Sequence, residues 1–271
     1  MQRFYFYNFL SFYMFKLFLL LLLTSSSIIA QPRLYTTANA HSHNDYEKRA
    51  PFYEAYKHQF GSIEVDIFLI KGSGELYVAH HAAELNVKKR TLDSMYLLPL
   101  ADCIRKNKGY IYADTLKKLQ LLIDIKTEAV PTIHLLMAVL RKYPELINTA
   151  GLQMVISGNR PPPDSFYTYP SFIQFDGIAG TSYSKDALSR IALFSAPFRQ
   201  FSTWTGTDTI PEKDKIELSN SIGQSHQAGK PVRFWAAPDT IDAWKELIKL
   251  QVDYINTDRI PELSGFLKNL Y

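Results

Sequence analysis

Beyond the first thirty residues, the apolar positions fall into two alternating patterns. Short runs rich in Val, Ile, Phe and Tyr read as strands over 34–40, 62–69, 119–125, 153–157, 172–176, 198–204, 231–236 and 252–256. Between most of them, apolar residues recur at helical spacing, predicting helices over 51–59, 130–141, 185–194, 212–227, 241–250 and 261–270. Eight strands alternating with helices in roughly 240 residues predict a parallel sheet closed into a (β/α)8 barrel, with a doubly wound open sheet as the alternative. Residues 71–120 are too long for one connection and hold an extra strand at 75–79. They are read as an insertion over the C-terminal face, where barrel chemistry sits.

The N-terminus has a different pattern. Residues 1–16 are aromatic-rich with Arg3 and Lys16, 17–23 form an unbroken apolar run, and 24–30 are small and weakly polar. That is the order of a secretory signal, so residues 1–30 are expected to be removed after Ala30, leaving an exported domain at 31–271 in the periplasm or outside the cell. The bulky Ile28, two positions before the cut, keeps an uncleaved N-terminal membrane anchor open as the alternative.

Composition narrows the partners. At 46% hydrophobic and 21% charged residues, the chain is globular and not disordered. The net charge of +4 drops by two once Arg3 and Lys16 are set aside, and the one tight basic cluster is Lys88-Lys89-Arg90. No nucleic-acid partner is expected of so weak a basic face. A single cysteine, Cys103, rules out an intramolecular disulfide and a cysteine metal site, and it is read as a small packing residue.

Three strands carry polar groups that a solvated surface does not explain. The first ends in His41-Ser42-His43-Asn44-Asp45-Tyr46, the second carries Ile63-Glu64-Val65-Asp66-Ile67, and the third carries Ile123-Asp124-Ile125-Lys126. Glu64 and Asp66 are two apart and share one face of a strand, while their apolar neighbours take the other; Asp124 and Lys126 repeat the arrangement. Carboxylates gathered on a desolvated inner face repel one another unless a cation neutralises them. Glu64, Asp66 and Asp124 would form an all-oxygen site suited to one Mg²⁺ or Ca²⁺. Buried ion pairs with Lys126 or Arg160 are the simpler alternative for one or two of these acids. His58, His134 and His226 fall in helical stretches and read as structural or exposed.

The run His43-Asn44-Asp45-Tyr46, then Glu64-Val65-Asp66, then Tyr77-Val78-Ala79-His80, then Asp124-Ile125-Lys126 resembles the superfamily of phosphatidylinositol-specific phospholipases C and glycerophosphodiester phosphodiesterases. The segments 229–235 and 252–258 resemble the last two strands of the glycerophosphodiester branch, and the opening motif is similar to the yeast altered-inheritance-of-mitochondria family. This resemblance implies a metal-dependent phosphoric diester hydrolase acting on a small-molecule or lipid phosphodiester, with membrane-surface contact open. It implies His43 or His41 with His80 as the acid-base pair, Glu64, Asp66, Asp124 and Asn44 as metal ligands, and Lys126 on the phosphate. Arg160 and Trp235 join Lys126 as candidates for substrate contact. Of the two first-strand histidines, His43 is favoured because it lies one step nearer the barrel mouth, beside Asn44.

Two other readings stay open. His41-x-His43 is also how amidohydrolase-like and histidinol-phosphatase-like zinc hydrolases begin a metal site, although strands five to eight hold no further histidine. A catalytically silent barrel used for binding is the third reading.

Overall fold

The structure, a computed structural model, describes residues 34–85 and 90–271; the expected leader and Lys88 and Lys89 lie outside them. Eight parallel strands form one sheet: β1 (Ala40–Ser42), β2 (Ser62–Leu69), β4 (Leu119–Ile125), β5 (Leu152–Gly158), β6 (Ile173–Ile178), β7 (Ile191–Pro197), β8 (Val232–Trp235) and β9 (Ile255–Thr257). The order runs β8-β7-β6-β5-β4-β2-β1-β9, and a further strand, β3 (Leu76–Val78), pairs antiparallel with β2. A single parallel bridge between Arg233 and Tyr254 joins the two ends, so the sheet closes into the (β/α)8 barrel expected from the sequence.

The apolar face of this sheet is its outer one. Ile63, Val65 and Ile67 of β2 and Leu121 and Ile123 of β4 are fully buried in the main hydrophobic cluster, packed under the helices. At about 1.5–3 kcal/mol for each fully buried side chain of this size, these residues fix which way the strands face. The alternate positions point inward, where Leu122, Val155 and Leu193 form a separate small apolar plug. Register then places polar groups side by side: His41 opposite Ser62, Asp66 opposite Asp124, and Asp124 opposite Ser157.

Helices form where expected, with local signals. Ser184 accepts from the Ala187 amide to start Lys185–Ser189, and Thr240 accepts from that of Ala243 to start Ile241–Lys249. The helix Glu212–Gln227 opens with Glu212 and Asp214 in its first turn, where acids suit the positive end of the helix dipole. Among the described residues no helix is long and apolar enough to cross a membrane.

Two expectations need correction. The first strand spans only Ala40–Ser42; Thr37–Asn39 before it is a 3-10 turn capped by Thr36. The sixth barrel strand is Ile191–Pro197, where a helix was expected to run on from residue 185, and the expected strand 198–204 is a 3-10 turn followed by loop. Ile191–Pro197 is largely buried, so its apolar run carries no period-2 signature to separate it from a helix end. In 198–204 the apolar spacing imitates a strand, whereas Phe198 and Trp204 are aromatic anchors sunk into the core from a loop.

The insertion 71–120 divides in two. β3 delivers His80 to the mouth, while the helix Leu98–Lys106 packs Leu100, Ala101 and Ile104 into the main cluster.

Candidate active site

The motif that ends β1 folds into a tight turn, each residue with its own task. Asp45 is fully buried and accepts hydrogen bonds from Ser42 Oγ (2.7 Å), the Phe52 amide (2.5 Å) and the Tyr96 hydroxyl (2.8 Å). Phe52 itself is at φ 63°, ψ −55°, and the Tyr53 amide donates to Pro51 O at 2.7 Å, which makes a strained γ-turn that the Asp45 bond holds in place. Asn44 adopts the left-handed conformation at φ 45°, which Asn tolerates better than most residues. The turn therefore aims His43 and Asn44 into a cavity of about 450 Å³ at the C-terminal mouth of the barrel.

That cavity is also lined by Glu64, His80, Asp124, Lys126, Arg160 and Trp235, gathered from the ends of β1, β2, β3, β4, β5 and β8. Glu64, Asp66 and Asp124 each offer an oxygen within 4.8 Å of the others. Asp66 Oδ1 and Asp124 Oδ1 are buried with no hydrogen bond, although Lys126 Nζ makes ion pairs with Asp66 Oδ2 at 2.9 Å and Asp124 Oδ1 at 3.3 Å. Asp66 Oδ1, with neither a hydrogen bond nor an ion pair, in an all-oxygen group suits a hard divalent cation such as Mg²⁺ or Ca²⁺ better than zinc. Gly158 makes room for this group: at φ +66°, a Cβ there would lie 2.0 Å from Asp124 Oδ1. Asn44 lines the same cavity, its Oδ1 3.0 Å from the Tyr46 hydroxyl.

Electrostatics divide the acids. Burial alone would raise Glu64, but the Arg233 guanidinium at 2.6 Å and the bond from His41 hold it well below the usual carboxylate range. Burial raises Asp66 and Asp124, with Lys126 opposing and neighbouring acids adding to the rise. Lys126 is in turn held above its ordinary value because the pull of Asp124 and Asp66 exceeds the cost of its burial.

The histidines occupy different environments. His41 is fully buried between Ser62 Oγ (2.7 Å), Glu64 Oε2 (2.8 Å) and Arg233 (2.7 Å); burial, then Arg233, lowers it to about 4. It does not line the cavity. His43 does, and its Nδ1 lies 3.2 Å from Asp258 Oδ1, which also receives Lys48 at 2.7 Å. Burial works against charged His43, but the Asp258 bond and the charges of Glu64 and Asp258 outweigh it and raise its pKa. His80 lines the cavity with Nδ1 at 2.9 Å from the Tyr46 hydroxyl. His58 and His226 bond Ser264 and Asp253, away from the cavity.

Arg160 reaches back to the carbonyl of Asp176, and Trp235 stands on the rim, 43% exposed. Reading the sequence residue by residue missed Arg233, Asp176, Tyr46 and the pairing of Asp258 with His43. Arg233 in Val-Arg-Phe-Trp and Asp176 in Ile-Gln-Phe-Asp-Gly-Ile carried the same signal as Glu64, a charge inside an apolar strand.

A family model for the AIM6-like phosphodiesterase domain matches residues 33–148, and one for the glycerophosphoryl diester phosphodiesterase family matches 231–260. The likeness to the glycerophosphodiester phosphodiesterases and to the altered-inheritance-of-mitochondria family holds. The first segment contains both cavity histidines and the three acids, and the second contains Arg233, Trp235 and Asp258. Altered inheritance of mitochondria protein 6 from Kluyveromyces lactis is 25% identical over 300 residues, covering 84% of this chain and 72% of that protein. A homologue from Arthroderma benhamiae is 26% identical, covering 83% and 82%. The crystal structure of a glycerophosphodiester phosphodiesterase from Parabacteroides distasonis superposes with a TM-score of 0.56 at 13% identity, over 86% of this chain and 97% of that one, and shares the fold.

Proposed function

We propose that the protein is a divalent-cation-dependent phosphodiesterase that cleaves a P–O bond of a glycerophosphodiester or phospholipid-type substrate, with His43 and His80 as the acid-base pair. The observation that carries this reading is one cavity lined by two histidines, three cations (Lys126, Arg160 and Arg233) and acids of a buried carboxylate cluster. A bound cation would be held by Glu64, Asp66 and Asp124, with Asn44 beside them, and would supply positive charge against the phosphate. Lys126 and Arg160 extend that positive field over the cavity, where a phosphodiester anion would otherwise be repelled by the acids. Of the two histidines, one accepts the proton of the attacking hydroxyl or water and the other protonates the leaving alkoxide. His41, behind the cavity wall, and Arg233, at its floor, keep Glu64 ionised and oriented. Trp235 offers an aromatic face on the rim to the alcohol or headgroup.

The test is a screen of the purified protein against glycerophosphodiesters and phospholipids with Mg²⁺, Ca²⁺, Mn²⁺ or a chelator. The reading expects turnover with a cation, loss with chelator, and loss in both His43→Ala and His80→Ala. Undiminished activity in chelator rejects cation dependence, and near-normal His43→Ala with a dead His41→Ala reassigns the first histidine. The apolar run 17–23 supports export with removal of residues 1–30. N-terminal sequencing of the protein from its native host is expected to begin at Gln31.

A further inference from the structure

Tyr46 is 1% exposed, yet its one hydroxyl meets three groups of the site: Asp66 Oδ2 at 2.7 Å, His80 Nδ1 at 2.9 Å and Asn44 Oδ1 at 3.0 Å. A phenol has one proton to give and lone pairs to accept with. The shortest of the three contacts is to Asp66, a carboxylate that only accepts when ionised, so the phenol proton goes there. Asn44 Oδ1 is the other pure acceptor, at the longer 3.0 Å, and whichever of the two oxygens holds the phenol proton, none is left for His80; the phenol oxygen can bond His80 only as an acceptor, which requires a proton on His80 Nδ1. Asp66 Oδ2 is meanwhile filled by Tyr46 and Lys126, which leaves Oδ1 as the unpartnered oxygen of that carboxylate.

We propose that Tyr46 is a positioning residue that fixes His80 as the Nδ1–H tautomer, so that Nε2 presents a lone pair to the cavity. Resting on the phosphodiesterase reading, this makes His80 the group built to accept a proton and leaves donation to His43, whose Nδ1 is engaged by Asp258. The assignment follows from one hydroxyl and its neighbours, and Nε2 of His80 bonds no other group among the described residues. Neutral histidine commonly carries its proton on Nε2 in water, so the Nδ1–H form needs an enforced acceptor such as this one.

Nitrogen NMR of ¹⁵N-histidine-labelled protein reads the tautomer directly, without any substrate. His80 is assigned by the signal lost in His80→Gln. The expected spectrum has His80 Nδ1 in the protonated range and Nε2 in the unprotonated range, and Tyr46→Phe, which keeps the buried ring, is expected to move the proton to Nε2. On whichever phosphodiester turns over, Tyr46→Phe should lower kcat by about 10–100-fold, as loss of an orienting partner does, with KM changed far less. In a His80→Ala background the same substitution should cost nothing further. His80 already protonated at Nε2 in the native protein overturns the proposal, and so does a Tyr46→Phe spectrum identical to native. If no phosphodiester is turned over, the functional reading fails while the tautomer is still decided by the spectrum.

Discussion

Arg233→Met tests whether the buried charge at the floor of the cavity is the counter-ion that the acid cluster depends on. Arg233 is 4% exposed and Glu64 5%, and the guanidinium donates to Glu64 Oε2 at 2.6 Å while reaching His41 at 2.7 Å and Ser195 at 3.3 Å. Methionine keeps most of the apolar stem and removes the charge, leaving Glu64 desolvated with only the His41 bond. Breaking one partner of a buried pair costs roughly 3–5 kcal/mol, against a total stability of about 5–15 kcal/mol for a domain. At about 2–4 °C per kcal/mol for a chain of this size, the melting temperature should fall by roughly 6–20 °C. Circular dichroism melts and urea titrations in chelator at neutral pH measure both quantities. The double variant Arg233→Met with Glu64→Gln should recover much of the loss, because no charge is then stranded. A divalent cation should stabilise Arg233→Met more than the native protein, since Glu64 is freed to ligate; saturation at 100 times Kd adds about 2.7 kcal/mol. A single variant costing under about 1 kcal/mol, or a double variant whose loss is the sum of its parts, refutes the counter-ion argument.

Three further outcomes follow from the same geometry. Gly158→Ala should destabilise by at least the roughly 1–2 kcal/mol of a left-handed alanine, and its Cβ, 2.0 Å from Asp124 Oδ1, should displace that ligand; calorimetric titration with Mn²⁺ should show weakened binding. His41 has a folded pKa of about 4 against 6.5, so the unfolded chain binds more protons between those values; stability should fall with pH through that window, by roughly 3 kcal/mol from this residue. His41→Asn should flatten that part of the stability profile relative to native, and parallel profiles would reject the burial of a neutral imidazole. In Asp258→Asn, burial is left acting on His43 with less opposition, so the pKa of His43 falls and the pH limb it governs should move to lower pH in a rate profile.

Much of this was legible in the sequence where one face of a strand had to be apolar. Alternation in Ser62–Leu69 and Leu119–Ile125 exposed Glu64, Asp66 and Asp124 as inward residues, and register brought the last two opposite each other. The strand Ile191–Pro197 gave no such signal because it is buried on both faces and follows a helix without a break. Arg233 was hidden for a different reason: its partners His41 and Glu64 are 192 and 169 residues away in sequence, and only closure of the barrel brings them together. Tyr46 and Asp258 likewise acquire their roles from turns and loop ends, where spacing carries little information about direction.

The closure itself has a consequence for how the protein comes into being. β1 pairs with β9, so a strand made among the first residues of the domain waits for one near its end, and Arg233 meets Tyr254 through a lone bridge. While synthesis is incomplete, β1 and β8 are bare sheet edges able to recruit other strands, and His41 and Glu64 line an open trough. Chains truncated before residue 255 should therefore aggregate as they emerge, and the proposed cation site should be completed only at the final step of assembly.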